Sequence, residues 1–371
     1  MESQCLLVGV DTLELGFCVG KYFLGGRQWS DLAAAKESSR RSDFDNKLAV
    51  MELGGHEFLV NGAGAQRYGY ILRNNDVTLK INENAKSGIH FPEILVTLHS
   101  GYLWREGWQR AIGKIEECMA QLGDIRMVKV SRADLTADIK ALMPVLSADF
   151  REIVTRAKRK ALFGHGQFDV GRFYTGLQPS GYRVGSSNLM CRMYDKVAES
   201  NKSKKMWFEE LWAKGGWQKG EPVTRVEFQC RRPFLRRMQT DSPGDLIVKA
   251  PGLWRYLSEE WLTMRVAGDD SHRGRWDLQG LWQAVQGAGT KFGEVTGITR
   301  MRQMRSTFEN LRSQYRGYLV SMVATSTELL GSEATETPKE WVMSMTEEML
   351  REPEFDMDVK RRKAKYSGMD N

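Results

Sequence analysis

The stretch Arg132-Ala133-Asp134-Leu135-Thr136-Ala137-Asp138-Ile139 alternates without a break. Ala133, Leu135, Ala137 and Ile139 fall on one parity, and Arg132, Asp134, Thr136 and Asp138 on the other. Successive side chains of a β-strand point to opposite faces, so the pattern predicts a strand with one apolar and one polar face. A second stretch, Arg225-Val226-Glu227-Phe228-Gln229-Cys230-Arg231, repeats it, with Val226, Phe228 and Cys230 opposite Arg225, Glu227, Gln229 and Arg231. Such strands cover a core on one side and leave the other to water or a ligand, as antiparallel sheets do. Here the wet side carries carboxylates and guanidiniums rather than the mixed threonine, serine and lysine of an ordinary solvated face. Acids and arginines on one surface suit a hard cation and a phosphate together.

A third run, Leu189-Met190-Cys191-Arg192-Met193-Tyr194-Asp195-Lys196, sets a tyrosine between two cations, each two residues away. On a strand, Arg192, Tyr194 and Lys196 share a face. A phenol so flanked is arranged to attack a phosphodiester: the cations hold the phosphate and favour the phenolate over a phenol whose free pKa is about 10.

Composition supports a polyanionic partner. The 371 residues are 41% apolar and 27% charged, with net charge +7, a globular balance rather than a disordered one. The positive charge is concentrated. Residues 151–205 hold 12 Lys or Arg against 4 Asp or Glu, which suits a phosphate-tracking surface beside Tyr194 as well as a solvated basic face. Five cysteines (Cys5, Cys18, Cys118, Cys191 and Cys230) show no CxxC spacing, so neither a zinc nor a disulfide framework is expected. Cys191 and Cys230 read as small core residues. No basic segment precedes the short apolar run before Asp11 and Glu14, and no 18-residue apolar run occurs. A secretory signal and a membrane span are therefore not expected, and a reducing cytoplasm is the default location.

Along the chain, strands are expected over 6–17, 51–60, 94–98, 126–139 and 224–231. Helices are expected over 105–122, over 147–162 with Ser147 as N-cap, and over 206–214. Gly164–Gly166 reads as a turn. After Thr240 the pattern becomes helical, with candidates over 253–266, 277–285, 298–330 and 341–351. The basic cluster Lys360-Arg361-Arg362-Lys363 then reads as a frayed tail. The fold class is thus α+β: an antiparallel-sheet catalytic domain over 1–240, then a mainly helical region over 241–371. The boundary falls near Asp241-Ser242-Pro243-Gly244.

Geometry limits the metal chemistry. Asp134 and Asp138 lie about 13 Å apart on a straight strand and cannot share one ion. Either could instead pair across strands with Glu227, because opposed residues have Cβ atoms about 5 Å apart. An oxygen-only set points to Mg²⁺ or Mn²⁺. His56, His90, His99, His165 and His272 form no HxH or HExxH pair, and no phosphate-binding glycine loop occurs.

In this order these segments resemble the replication initiation factor family, which groups rolling-circle plasmid and phage initiators with relaxases of conjugative elements. The resemblance covers about residues 6–240. It rests on Val10-Asp11-Thr12-Leu13, on Leu98-His99-Ser100-Gly101, and on Arg132, Asp134 and Asp138 as R-x-D-x-x-x-D. It continues through Tyr174-Thr175-Gly176, Gly185-Ser186-Ser187, Arg192-Met193-Tyr194-Asp195-Lys196-Val197-Ala198-Glu199, and Arg225 with Glu227. Residues 177–182 read as a small insertion against that pattern.

The resemblance implies a nicking-enzyme-like sheet without a histidine pair, Tyr194 as nucleophile, a divalent metal, and single-strand cleavage at a DNA origin. Glu227 with Asp134 or Asp138 would hold Mg²⁺ or Mn²⁺. Arg192, Lys196, Arg132 and Arg225 are the candidates for the phosphate backbone, and Glu199 for an accessory acid or base. Host helicase, DNA polymerase and a second copy of the chain are further candidate partners. A conjugative relaxase uses the same chemistry. A non-catalytic origin-binding protein, relying on basic charge and on Trp104, Trp108 and Trp207, would not explain the acids beside a cation-flanked tyrosine.

Overall fold

The alternating stretches lie at the centre of one antiparallel sheet. The computed structural model describes residues 3–41, 48–84, 91–147, 150–157, 160–162, 165–167, 170–175, 178–292, 300–329 and 337–367. In the first half, β1 (Gln4–Tyr22), α1 (Gly26–Arg41), β2 (Ala49–Leu53), β3 (His56–Val60), β4 (Tyr70–Arg73), β5 (Val77–Ile81) and β6 (Ile94–Leu98) lead to α2 (Ser100–Glu106), α3 (Trp108–Leu122) and β7 (Gly123–Lys140). Then come β8 (Ile153–Thr155), β9 (Lys160–Leu162), β10 (His165–Gln167), β11 (Val170–Thr175), β12 (Gln178–Ser186), β13 (Leu189–Asp195), α4 (Lys196–Ser203), α5 (Trp207–Lys214) and β14 (Val223–Arg231). The rest comprises α6 (Arg232–Arg237), α7 (Pro243–Arg255), β15 (Leu262–Met264), α8 (Gly280–Gly287), α9 (Arg300–Leu329), α10 (Pro338–Arg351) and α11 (Pro353–Tyr366).

The sheet runs β11-β12-β13-β14-β7-β1-β6-β5-β4-β3-β2. Sheet and helices together make the α+β fold expected from the sequence. The long strands β1 and β7 pair at the middle, and one of several slips in their register falls between Val10 and Thr12. That extra residue, Asp11, flips the side-chain alternation. Val8 and Val10 before it, and Leu13, Leu15 and Phe17 after it, therefore all reach the core, while Asp11 and Glu14 both reach the polar face.

The apolar side of β7 and β14 is covered by helices beyond residue 240. Phe228 packs edge-on against Trp254 of α7 with ring centroids 5.2 Å apart, and Trp254 and Trp282 are fully buried in the same core as the strands. Complete burial of one such side chain is worth about 1.5–3 kcal/mol. Residues 241–244, read as a domain boundary, begin α7 instead. Ser242 and Asp245 form a reciprocal capping box and Pro243 opens the helix. Residues 243–288 thus complete the core of the sheet rather than building a second one.

Several other expectations are corrected. No helix spans 147–162. Ser147 bonds the Glu152 carboxylate through its hydroxyl and amide, and the β-branched Ile153-Val154-Thr155 pairs with β15 more than a hundred residues on. That distant partner overrides the local helical spacing. Residues 178–182 of the expected insertion open β12 and hydrogen-bond β11 and β13; Leu177, like Gly176 of the Tyr174 motif and Gly164, lies outside the described residues. The helix expected over 105–122 is two helices broken at Gly107, whose φ of 78° favours glycine. The helix expected over 253–266 begins at Pro243 and, after a wide turn over Tyr256–Trp261, gives way to β15. The basic cluster 360–363 is part of α11, which packs against β2 and β3; Ala364 is buried and the Ser367 hydroxyl bonds the Glu57 carbonyl at 3.0 Å. No helix among the described residues is long and apolar enough to cross a membrane.

Candidate functional site

Register fixes the polar face in rows. Leu7, Asp138, Arg225 and Tyr194 stand side by side on β1, β7, β14 and β13. The next row is Gly9, Thr136, Glu227 and Arg192, extended by Arg183 on β12. Asp134 opposite Gln229 follows, then Glu14, Arg132 and Arg231. Two regions of different character result, one capped by aromatic side chains and one that reaches the surface through Tyr194, Arg192 and Arg183, with Asp134, Glu227 and Gln229 buried.

The capped region holds Arg225, Asp138 and Asp11. Arg225 is fully buried; its Nε and Nη2 donate to Asp138 at 2.5 and 2.7 Å, and its Nη1 donates to Asp11 at 2.7 Å. Asp138 also accepts from Trp212 Nε1 at 2.7 Å, and Asp11 accepts from Ser100 Oγ and Trp104 Nε1, each at 2.8 Å. Leu7, Trp104, Trp207, Phe208, Trp212 and Trp217 lie over this clamp as a second, smaller core. Gly9 lets the lid sit close, since a Cβ there would stand 2.7 Å from the Trp104 ring. Burial pushes the Asp11 carboxyl up, but the charges of Arg225, Lys205 and Lys196 and the Trp104 bond hold it well below the ordinary carboxylate range.

Arg225 therefore does not present its guanidinium to a phosphate, and Asp138 does not offer a free carboxylate to a metal. Each is occupied by the other beneath the aromatic lid. Lys196 is also corrected. The strand ends at Asp195, which caps α4 by accepting from the Ala198 amide at 3.0 Å, so strand alternation stops one residue early. The Lys196 ammonium is buried over the Phe208 ring, 4.3 Å from its centroid, and pairs with Glu199. Glu199 thus pairs with Lys196, and its charge also acts on the Tyr194 phenol. Trp104, Trp108 and Trp207 are buried and offer no stacking platform to a nucleic acid.

The second region holds the rest. The half-buried Tyr194 donates its hydroxyl to Glu227 Oε2 at 3.1 Å. Arg192 Nη2 lies 3.5 Å from Glu227 Oε1 and donates to Gln229 at 3.1 Å. Arg132 grips Asp134 with two bonds of 2.8 and 2.5 Å and reaches Glu14 at 3.8 Å. The expected cation-stabilised phenolate is replaced by a phenol facing a carboxylate. Burial and then the Glu227 charge push the Tyr194 hydroxyl well above its ordinary value, so it is protonated at neutral pH with a carboxylate in hydrogen-bond contact.

Of the expected metal set, Asp134 and Glu227 lie outside the aromatic lid, both buried, with Asp134 gripped by Arg132 and Glu227 beside Arg192 and Tyr194. Burial pushes the Asp134 carboxyl up to about 7, with the Glu227 charge adding to the rise and Arg132 opposing it. Crowded acids of this kind, with Gln229 paired opposite Asp134, fit a hard divalent cation in donor chemistry. Mg²⁺ commonly takes one or two carboxylates, with substrate phosphate completing its shell. Among the described residues no three His, Cys, Asp or Glu side chains converge, so the fit is to a two-carboxylate site and not to a complete protein cage.

Two residues of this face lay outside the sequence expectation. Arg183, exposed and opposite Arg192, extends the arginine row; it follows directly on residues 177–182, read as a small insertion, so its strand was not recognised. Asp11 was quoted only as part of a motif, and its bulge carries no local signature.

No protein-family model matches this chain, and no curated protein matches it. Among solved structures, the chain is similar to a rolling circle replication initiator protein from Geobacillus stearothermophilus. The two share 14% identity at a TM-score of 0.38, over 78% of this chain and 97% of that one.

Proposed function

We propose that the protein nicks one DNA strand at an origin and rejoins it after replication, through a covalent tyrosine intermediate on Tyr194. The observation that carries this reading is the half-buried Tyr194 hydroxyl bonded to Glu227 on a strand face that also bears Arg192, Arg183 and Arg132. The phenol oxygen attacks the scissile phosphorus, the bond from phosphorus to the 3′ oxygen breaks, and the products are a 5′-phosphotyrosyl link and a 3′-hydroxyl. Glu227 takes the phenol proton at Oε2, and the departing 3′ oxygen gains one from water. Because the link keeps the energy of the broken ester, attack by a 3′-hydroxyl reverses the step and rejoins the strand. Arg192 and Arg132 hold the phosphate and balance the charge that grows on it. Asp134 and Glu227 would hold a divalent ion, which when bound supplies polarisation of the phosphoryl oxygen. The target strand must be unpaired to reach the phenol, which favours a hairpin or melted origin.

The test is a nicking assay with purified protein on supercoiled DNA of the replicon that encodes it, with and without EDTA. Nicked circles bearing covalently attached protein, lost on chelation, are expected. Tight binding without nicking would instead favour an origin-binding protein that does no chemistry.

Ion binding at the acidic pair competes with the proton on Asp134. Mn²⁺ affinity measured by calorimetry should therefore rise as the pH passes upward through about 7, by about tenfold per unit below that point where one proton is displaced. An affinity that does not change across neutrality would exclude Asp134 from the site.

A further inference from the structure

Lys196 carries a buried charge that packing does not require. Its ammonium lies over two rings, 4.3 Å from the centroid of Phe208 in the aromatic lid and 5.8 Å from that of Tyr194. The side chain is 1% exposed and pairs with Glu199, one turn on in α4. Burial, and then the charge of Arg225, push the ammonium below its ordinary value, and Arg225 lies over the same Phe208 ring at 4.5 Å. Lysine is almost never fully buried unless paired, and apolar side chains of similar volume commonly serve a buried site as well or better. Loss of the ammonium would not strand Glu199, whose side chain is 34% exposed. What the charge has within reach is Tyr194. The partners of Tyr194 across the sheet offer its ring no comparable hold. Gly181 on β12 has no side chain, and Arg225 on β14 commits its guanidinium to Asp138 and Asp11.

We propose, on the reading that Tyr194 is the nucleophile, that Lys196 is its positioning residue: the ammonium holds the Tyr194 ring so that the hydroxyl stays on Glu227. An ammonium is drawn to the electron-rich face of an aromatic ring within about 6 Å of its centroid. Glu199 fixes this ammonium from α4 and Phe208 fixes it from α5, so the anchor is tied to two helices. Asp195, between the ring and its anchor in sequence, caps α4. Strand end, helix start and ammonium thus form one continuous support for the nucleophile. The hold tightens as the reaction runs. When the bond between phosphorus and the phenol oxygen breaks in rejoining, electron density returns to that oxygen and spreads into the ring, which strengthens the attraction for the cation. Nicking follows the same path in reverse. Lys196 therefore acts through Tyr194 without touching the DNA, whereas strand alternation alone set it on the phosphate.

The test is Lys196→Met in the full chain, since methionine keeps the apolar stem without its charge. Adduct formation would be timed with a saturating single-stranded oligonucleotide that spans the nick site mapped on supercoiled DNA. The dissociation constant for that oligonucleotide and the urea midpoint would be measured alongside. The variant should form adduct about tenfold to a hundredfold more slowly, as misplacement of a reacting group does. Its affinity and its midpoint should match those of wild type. Weaker binding at an unchanged rate would make Lys196 a phosphate contact, and loss of stability along with rate would make it a support of the fold. Either result overturns the proposal, as does a variant that reacts as fast as wild type. Wild-type protein that forms no adduct would overturn the Tyr194 reading, and the role of Lys196 with it. An active wild type beside an equally active variant removes only the lysine.

Discussion

Phenylalanine in place of Tyr194 is expected to abolish the covalent protein–DNA adduct and all nicking, while DNA binding persists. The substitution removes the one hydroxyl bonded to Glu227 and little else: Glu227 keeps Arg192 at 3.5 Å and the strand keeps its ladder with β12 and β14. Loss of a single partly buried hydrogen bond should cost about 1 kcal/mol of stability. The denaturation midpoint should scarcely move while adduct formation, followed by gel shift of labelled DNA, falls to background. Residual adduct in the phenylalanine variant would move the nucleophile to another residue.

The second large effect concerns Arg225, and there stability rather than binding should respond. Removing this guanidinium leaves Asp11 and Asp138 buried with their principal counter-charge gone, a change that typically costs about 3–5 kcal/mol. Lysine should rescue poorly, since one ammonium cannot reproduce a fork that reaches Asp138 twice and Asp11 once. The pH dependence has a definite sign. Asp11 is held below its unfolded value, so its contribution is full above about pH 4 and fades as the pH falls further. Wild-type protein should lose stability steeply in that range, and Arg225→Met should flatten the loss. Urea titrations at neutral and acid pH would measure both. A variant of normal stability but weakened DNA affinity would return Arg225 to the phosphate-binding role expected from the sequence.

The sheet was legible because period-two alternation is a local property. Residues 132–139 and 225–231 declare their faces without knowledge of their neighbours, and opposed acids and arginines on those faces are what the register brings together. Tyr194, Glu227, Arg192, Asp134 and Arg132 meet on one strand face for that reason. What escaped the sequence depends on distant segments. Asp138 and Arg225 lie under a lid built from Trp104 of α2 and Trp212 of α5, and nothing in their own strands signals its presence. Lys196 left the face because Asp195 begins a helix, a signal present in the sequence as an aspartate at an N-cap. Residues 147–162 have helical spacing, yet β15 claims Ile153–Thr155 as a strand. The break near 241 is a change of secondary structure, not of core, because Trp254 and Trp282 pack beneath the same sheet.

The central claim is that the Tyr194 hydroxyl forms the bond to DNA, and the most direct test is to find that bond. Protein incubated with supercoiled DNA of its own replicon and a divalent ion would be digested with nuclease and protease, and the nucleotide-bearing peptide sequenced by mass spectrometry. The account predicts a nucleotide joined through its 5′ phosphate to Tyr194. A nucleotide on any other residue, or nicked DNA with no protein attached, would contradict it.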